Sequence, residues 1–428
     1  MKNLYMFSDY LDNKLKKHGI HYGWAMAFLA FTTTLFSSAI MTIPHVLIIP
    51  ITKEFGWNVS DISTPIAIMF VMLALVAPFG GALILKFGVT KIVTISFIFS
   101  IIGILSTTFI FEKWHLIGTI GICLGISSGM LGLSLGATIA TRWFNVRRGL
   151  VMGLLASSFA AGQLTFVPLM AWLTTIYDWR IAVLPVLLGA GFSILLFILF
   201  GKNWPSDLNI PPYGDKEIFT PPPLSKQNAF FLSISAVVTA SKQTTFWILA
   251  LTFFICGVTS TGIIGQHFIP FCADNNIGIV VASSYLALMG VFNFIGTMGS
   301  GWLSDRYDNF KLLAIYYGLR GISLIYLPYS NLDVYALTLW AIFFGLDFIA
   351  TVPPTVRLTG KFFGTVNGPI IFGWIFAAHQ LGNAFAAYGA GVIRDTALTY
   401  LPAFLTAGLF CFLASALILF LRNQKSYQ

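Results

Sequence analysis

Arg320 and Asp347 stand alone, each near the middle of a long apolar stretch. A charge placed in hydrocarbon is costly, so an ionisable residue there is a functional candidate by default. The two stretches are consecutive, hence antiparallel, and can bring the two side chains together. The pair then either locks neighbouring helices or is chemical, with Asp347 carrying a proton or Arg320 binding an anion. A second set is polar. His379, Gln380 and Asn383 share one stretch, and His379 and Asn383, four apart, lie on one helical face. Such a stripe binds a solute or hydrogen-bonds to a neighbouring helix. Gln163 and Asn293 are further cavity candidates, with Ser37 and Ser38 weaker ones. His45 and His267 sit toward the ends of their stretches. They flank an outer gate or are ordinary interfacial histidines, and His267 joins the solute-binding set.

The elements that must hold these residues are membrane helices. Apolar residues make up 57% of 428 positions, charged ones 9%, and the mean hydropathy is +0.84. A soluble fold cannot hide that much apolar surface. Twelve stretches reach or approach the length of a span: 22–50, 62–85, 90–111, 114–140, 149–174, 181–200, 245–271, 279–303, 311–329, 333–356, 366–392 and 400–421. The predicted fold is all-α and polytopic, with a tail at 1–21, a six-helix bundle at 22–200, a linker at 201–244, a second bundle at 245–421 and a tail at 422–428. Pro211-Pro212 and Pro221-Pro222-Pro223 forbid a continuous helix through the linker, whose second part, Asn228 to Thr239, reads as a short interfacial helix.

Charge sets the expected orientation. With both termini inside, 19 of the 24 Lys and Arg residues fall on inner segments and four on outer loops. The net charge of +9 therefore reads as topology in a cytoplasmic inner membrane, not as nucleic-acid binding. Cys123, Cys256, Cys272 and Cys411 lack metal-site spacing and read as thiols. No cleavable signal peptide is visible. No P-loop, zinc spacing or local nucleophile–base pair is present, so no cofactor, metal site or enzymatic activity is expected.

The chain also repeats itself. Gly81-Ala82-Leu83-Ile84-Leu85-Lys86-Phe87-Gly88 closes the second span, and Gly301-Trp302-Leu303-Ser304-Asp305-Arg306-Tyr307-Asp308 closes the eighth, 220 residues on. Ile49-Pro50 returns as Ile269-Pro270, and Arg142-Trp143-Phe144 as Lys361-Phe362-Phe363. Two parallel six-span halves point to a transporter with its site between them. Gly121, Gly125 and Gly129 recur every four residues in the fourth span and read as a helix-packing stripe.

Twelve spans, a long middle loop and this doubled loop motif resemble the major facilitator superfamily over the whole chain. Tyr22-Gly23-Trp24, Phe55-Gly56-Trp57, and Arg142-Trp143-Phe144 with Arg147-Arg148-Gly149 are similar to its monocarboxylate and oxalate–formate branch. Phe246-Trp247 and His379-Gln380-Leu381-Gly382 are similar to bacterial members of that branch. The resemblance implies a cavity lined by span 11, a peripheral span 9, and an inner-face latch made from Gly81, Gly88, Gly301, Asp305, Arg306 and Arg142. Two departures stand out. Leu85 occupies the motif's acidic position in the first copy, and Thr297 stands where carboxylate-carrying relatives place an Arg. Span 5 also lacks the Gly-Pro motif of drug–proton antiporters.

The expected activity is secondary transport of a small organic solute, foremost a carboxylate anion, by alternating access, as a monomer coupled to protons or to exchange. Neutral or zwitterionic nutrients, a carboxylate siderophore, and a nutrient sensor on a transporter fold remain as alternatives. The short tails disfavour the sensor, and an intramembrane enzyme would need a catalytic cluster that the sequence does not offer.

Overall fold

In hydrocarbon each backbone N–H and C=O needs an internal partner, so apolar stretches of this length become helices. A computed structural model describes residues 2–218 and 229–426; Pro221-Pro222-Pro223 and Asn228 lie outside the described residues. Among them are twelve helices long and apolar enough to cross a membrane. Spans 1 to 6 are Tyr22–Phe55, Val59–Phe87, Val89–Thr107, Lys113–Leu131, Ser157–Ile176 and Trp179–Phe200. Spans 7 to 12 are Thr244–Asp274, Ile279–Arg306, Asn309–Tyr329, Val334–Gly364, Ile370–Ala397 and Leu401–Arg422. The helix of span 4 runs on to Trp143, and that of span 5 begins at Arg148. Large apolar side chains such as Phe28, Leu75, Leu188 and Leu339 remain exposed, as a lipid-facing surface requires.

The spans form two six-helix halves. Span 2 packs along span 11, span 5 along span 8, and the last part of span 7 meets span 1. Within the first half the glycine stripe of span 4 lies against span 2. A Cβ on Gly125 would stand 2.6 Å from the Met69 carbonyl oxygen, and one on Gly129 would stand 2.7 Å from Val76 Cβ. Only a residue without a side chain allows that approach.

Three features depart from straight, simple spans. Span 7 widens into π-helical turns at Val258–Gly265, and span 4 does so at Ile117–Leu124. Span 10 is broken: one helix ends at Asp347, a turn follows, and the next begins at Val352 with Pro353-Pro354 in its first turn. Neither proline offers an N–H, so the carbonyls of the preceding turn must look elsewhere. Ser300 Oγ supplies the Ala350 carbonyl at 2.5 Å. The third departure is the N-terminal segment, read from sequence as a polar tail. Lys2–Lys17 is a helix packed against span 6, with Ser8 and Asp12 buried.

The described part of the linker grips the first half. Its Tyr213 N–H donates to the Trp143 carbonyl at 2.8 Å. The His21 ring donates from Nε2 to the Pro211 carbonyl at 2.9 Å and accepts the Gly23 N–H at Nδ1. Burial pushes the His21 imidazole below the usual histidine range. Linker helix Ala229–Ala240, close to the expected interfacial helix, bridges the halves. Phe230 stacks on Phe79 of span 2 with ring centroids 4.3 Å apart, and Ser233 receives the Trp374 indole N–H of span 11. The side carrying both tails and the linker is called the linker face below, and the opposite side the far face.

Candidate functional site

The polar stripe of span 11 forms a connected group. Asn383 Nδ2 donates to Gln380 Oε1 at 2.8 Å, and both amide nitrogens lie 3.5 Å from His379 Nδ1. Gln380 and Asn383 are buried, whereas His379 is half-buried and is the group's open end. Its ring is held between Phe376 and Phe253, with centroids 5.9 and 5.0 Å away. Span 7 approaches closely here. A Cβ on Gly257 would stand 2.0 Å from the His379 carbonyl oxygen, and one on Gly382 would stand 2.0 Å from that of Phe254. These glycines fix the stripe against span 7.

Arg320 and Asp347 meet. Arg320 Nε donates to Asp347 Oδ2 at 2.6 Å, and Nη2 donates to the carbonyls of Asp347 at 2.5 Å and Phe348 at 3.2 Å. Those carbonyls belong to the break in span 10. The guanidinium therefore neutralises a carboxylate and also caps an interrupted helix. Nη1 donates to Cys256 Sγ at 3.1 Å, and that sulfur lies 3.1 Å from Thr351 Oγ1. Arg320 is fully buried and donates four hydrogen bonds within this cluster. That placement commits Arg320 to span 10.

The other candidates lie apart from the stripe. Asn293 is buried on span 8, and its Oδ1 accepts from Thr297 Oγ1 at 3.2 Å, so a neutral pair stands where the resemblance implies an Arg. Gln163 is half-buried on span 5. His267 is buried with both nitrogens occupied. Nε2 donates to the Ala387 carbonyl at 2.8 Å, and Nδ1 accepts from Tyr400 Oη at 3.2 Å. It ties spans 7, 11 and 12 together and offers a solute nothing in this arrangement. The side chains of His45 and Arg148 lie outside the described residues.

The linker-face motifs make structural contacts. Tyr22 packs on Trp143 and Trp24 on Phe144, with ring centroids 5.8 and 5.2 Å apart. Arg142 donates to the Asn203 carbonyl at 3.2 Å and lies over the Trp204 ring. Asp305 is ion-paired with Arg357, and Arg306 covers the Trp302 ring. Gly88, with φ 85°, leaves room for Asn203, whose Oδ1 accepts the Val89 N–H at 2.7 Å and caps span 3. Its counterpart Asp308 caps span 9 itself, accepting the Phe310 N–H at 2.9 Å, and pairs with Arg422 at 2.7 Å. Burial opposes the charge of Asp308, but the Arg422 guanidinium and the capped N–H groups hold its carboxyl below the usual range.

On the far face a cavity of about 590 Å³ opens between the halves. Ile48, Thr52 and Lys53 of span 1 face Pro270 and Asp274 of span 7 across it. Arg394 on its wall is paired with Asp274 at 2.5 Å.

Sequence reasoning missed Cys256 and Thr351, because no local pattern distinguishes a cluster thiol or hydroxyl from an ordinary apolar neighbour. It also missed Gln266, a fully buried amide one helical turn below Pro270, whose side-chain atoms have no partner among the described residues. An amide inside an apolar span is a signal that was open to reading.

A family model described as Major Facilitator Superfamily matches residues 26–387. An MFS-type transporter of Bacillus subtilis, YcxA, is 25% identical over 94% of this chain and 96% of its own. Monocarboxylate transporter 13 of Rattus norvegicus is 23% identical, covering 93% of this chain and 88% of its own. Among solved structures, a D-xylose–proton symporter superposes with a TM-score of 0.72 at 13% identity, covering 93% of this chain and 97% of that one. A bacterial homologue of the human lysosomal transporter Spinster, inward-facing and unoccupied, gives 0.69 at 15% identity, covering 93% and 98%.

Proposed function

Because this chain belongs to the Major Facilitator Superfamily, we propose that it is a secondary transporter carrying a small carboxylate across the cytoplasmic membrane by alternating access. Membership makes it a membrane transporter rather than an enzyme. The carboxylate is proposed from the monocarboxylate transporters among its relatives. The observation that carries the site is the His379, Gln380 and Asn383 group. It is a connected polar set inside an apolar bundle, on a helix that lines one seam between the halves, with a half-buried imidazole at its open end. A solute crossing there loses water contacts that such groups replace. Gln163 and Asn293 supply polar contacts from the other seam. The proposed orientation places both termini and the linker in the cytoplasm, as the Lys and Arg bias requires.

Burying an isolated carboxylate is prohibitive, so something must offset its charge. Arg320 is spent on span 10, which leaves a protonated His379 as the group within the site. Uptake of an anion with the proton that charges the imidazole would couple flux to protons without a dedicated acid. Binding of labelled mono- and dicarboxylates to purified protein, from about pH 5.5 to about pH 8, tests this. Affinity strengthening toward acid pH in wild type, and flat in His379→Gln, is the expected result. Tight, pH-independent binding of neutral solutes alone would overturn it.

That outcome is the second reading, a neutral nutrient held by Gln163, Asn293, Gln380 and Asn383. The Thr297–Asn293 pair favours it, since it puts neutral groups at the branch's Arg position.

A further inference from the structure

On the far face one carboxylate crosses from one half to the other. Span 2 begins at Val59, and the first N–H groups of a helix have no partner within it. Asn58 and Asp61 answer each other locally, with the Asn58 N–H donating to Asp61 Oδ2 at 2.9 Å. The next two N–H groups are answered from the other half. Val59 N–H donates to Asp395 Oδ1 at 3.2 Å and Ser60 N–H to Asp395 Oδ2 at 2.8 Å. Asp395 stands at the far end of span 11, 335 residues away in sequence. An anion at a helix N-terminus also meets the positive end of the helix dipole.

The backbones are fitted for this contact. A Cβ on Gly391, one turn before Asp395, would stand 2.4 Å from Ser63 Oγ and 3.3 Å from the Ser60 Cα. The arrangement is one-sided. The repeat-related end of span 5 reads Thr174-Thr175-Ile176 and carries no acid, and the N-cap of span 8, Gly278, provides no side-chain hydrogen bond. The far-face ion pairs in the described residues stay within a half: Glu54 with Arg180, Asp178 with Arg180, Asp61 with Lys113, Asp274 with Arg394. Those pairs brace each bundle and survive any rotation of one half against the other, whereas the Asp395 contact cannot.

We propose that Asp395, docked on the N-terminus of span 2 through the gap left by Gly391, is the latch that holds the two halves together at the far face, and that its release lets solute pass from the far-face cavity deeper between the halves. This rests on the alternating-access reading and assigns the contact that sets its balance. The latch is polar and short-ranged, so it breaks completely over a small separation.

The test measures distance without any solute. Phe111→Cys and Leu398→Cys place spin labels on exposed positions of opposite halves at this seam, in a Cys123→Ser background. Electron–electron distance distributions are then recorded in lipid nanodiscs for wild type, Asp395→Ala, Gly391→Val and Arg394→Gln. Asp395→Ala should raise the ratio of long to short distances about tenfold, the size of effect that a charge at a helix N-terminus supplies. Gly391→Val should do the same by sterics while keeping the carboxylate, and Arg394→Gln, which breaks a pair within one half, should leave the ratio within about twofold. Two distances in wild type that neither latch variant reweights, or that Arg394→Gln reweights equally, overturn the latch alone. A single distance in every protein overturns the latch and alternating access together.

Discussion

At the scale of single residues, the consequential fact is that Arg320 is committed to span 10. It satisfies Asp347, two carbonyls of a broken helix and a thiol, so removing either charged partner strands the other in a dry interior. We expect Arg320→Gln and Asp347→Asn each to lower unfolding stability by about 3–5 kcal/mol. The double variant should lose less than the sum, because neither charge is then left alone. Thermal unfolding of the four proteins in detergent measures this. Full stability in the single variants, with lost proton dependence of flux, would instead make Asp347 a proton carrier. His379→Ala is expected to behave oppositely. It should weaken solute binding at least about tenfold and leave thermal unfolding nearly unchanged, since the ring is half-buried.

At the scale of elements, the two copies of one loop motif solve the same capping problem by different means. Span 3 borrows Asn203 from the linker, and span 9 uses its own Asp308. Asn203→Ala and Asp308→Ala should each cost about 1 kcal/mol, the usual worth of an N-cap. They separate by pH. The carboxyl of Asp308 is held below its ordinary value, so its contribution is present above the unfolded value of about 3.9 and is lost as pH falls through the lower folded value. An amide does not titrate, so the Asn203 contribution should stay constant across the same range. Denaturation of both variants at neutral and acid pH decides it. The two copies also differ at the acidic position: Asp305 pairs with Arg357, Leu85 offers no acid, and the linker's Asn203 and Trp204 hold Arg142.

At the scale of the whole molecule, twelve spans put both tails and the linker on one side, and the basic residues cluster on that side. We expect Lys113→Cys to react with an impermeant maleimide in intact cells and Asp215→Cys to be protected until the membrane is opened. The reverse pattern would invert the proposed orientation, and with it the assignment of the latch to the outer surface.

The sequence by itself determined that this chain is a duplicated twelve-helix membrane protein. Apolar length and repeat spacing are local properties, and hydrocarbon leaves a stretch of that kind no alternative to helix. It also made Arg320 and Asp347 candidate partners, because lone charges on adjacent antiparallel spans can meet; the tertiary structure decided that they do. Paired prolines inside a span, Pro353-Pro354, are legible in a sequence as a break. That Arg320 fills the break is not. Tertiary structure alone decided which helix faces meet: Cys256 and Thr351 beside the guanidinium, Asn203 capping span 3, His267 turned onto Ala387 and Tyr400, and Asp395 reaching Val59 and Ser60. Each of these joins residues far apart in the chain through a single hydrogen bond or two. Such contacts are set by how packed helices are offset and rotated, a geometry to which no stretch of sequence is uniquely tied.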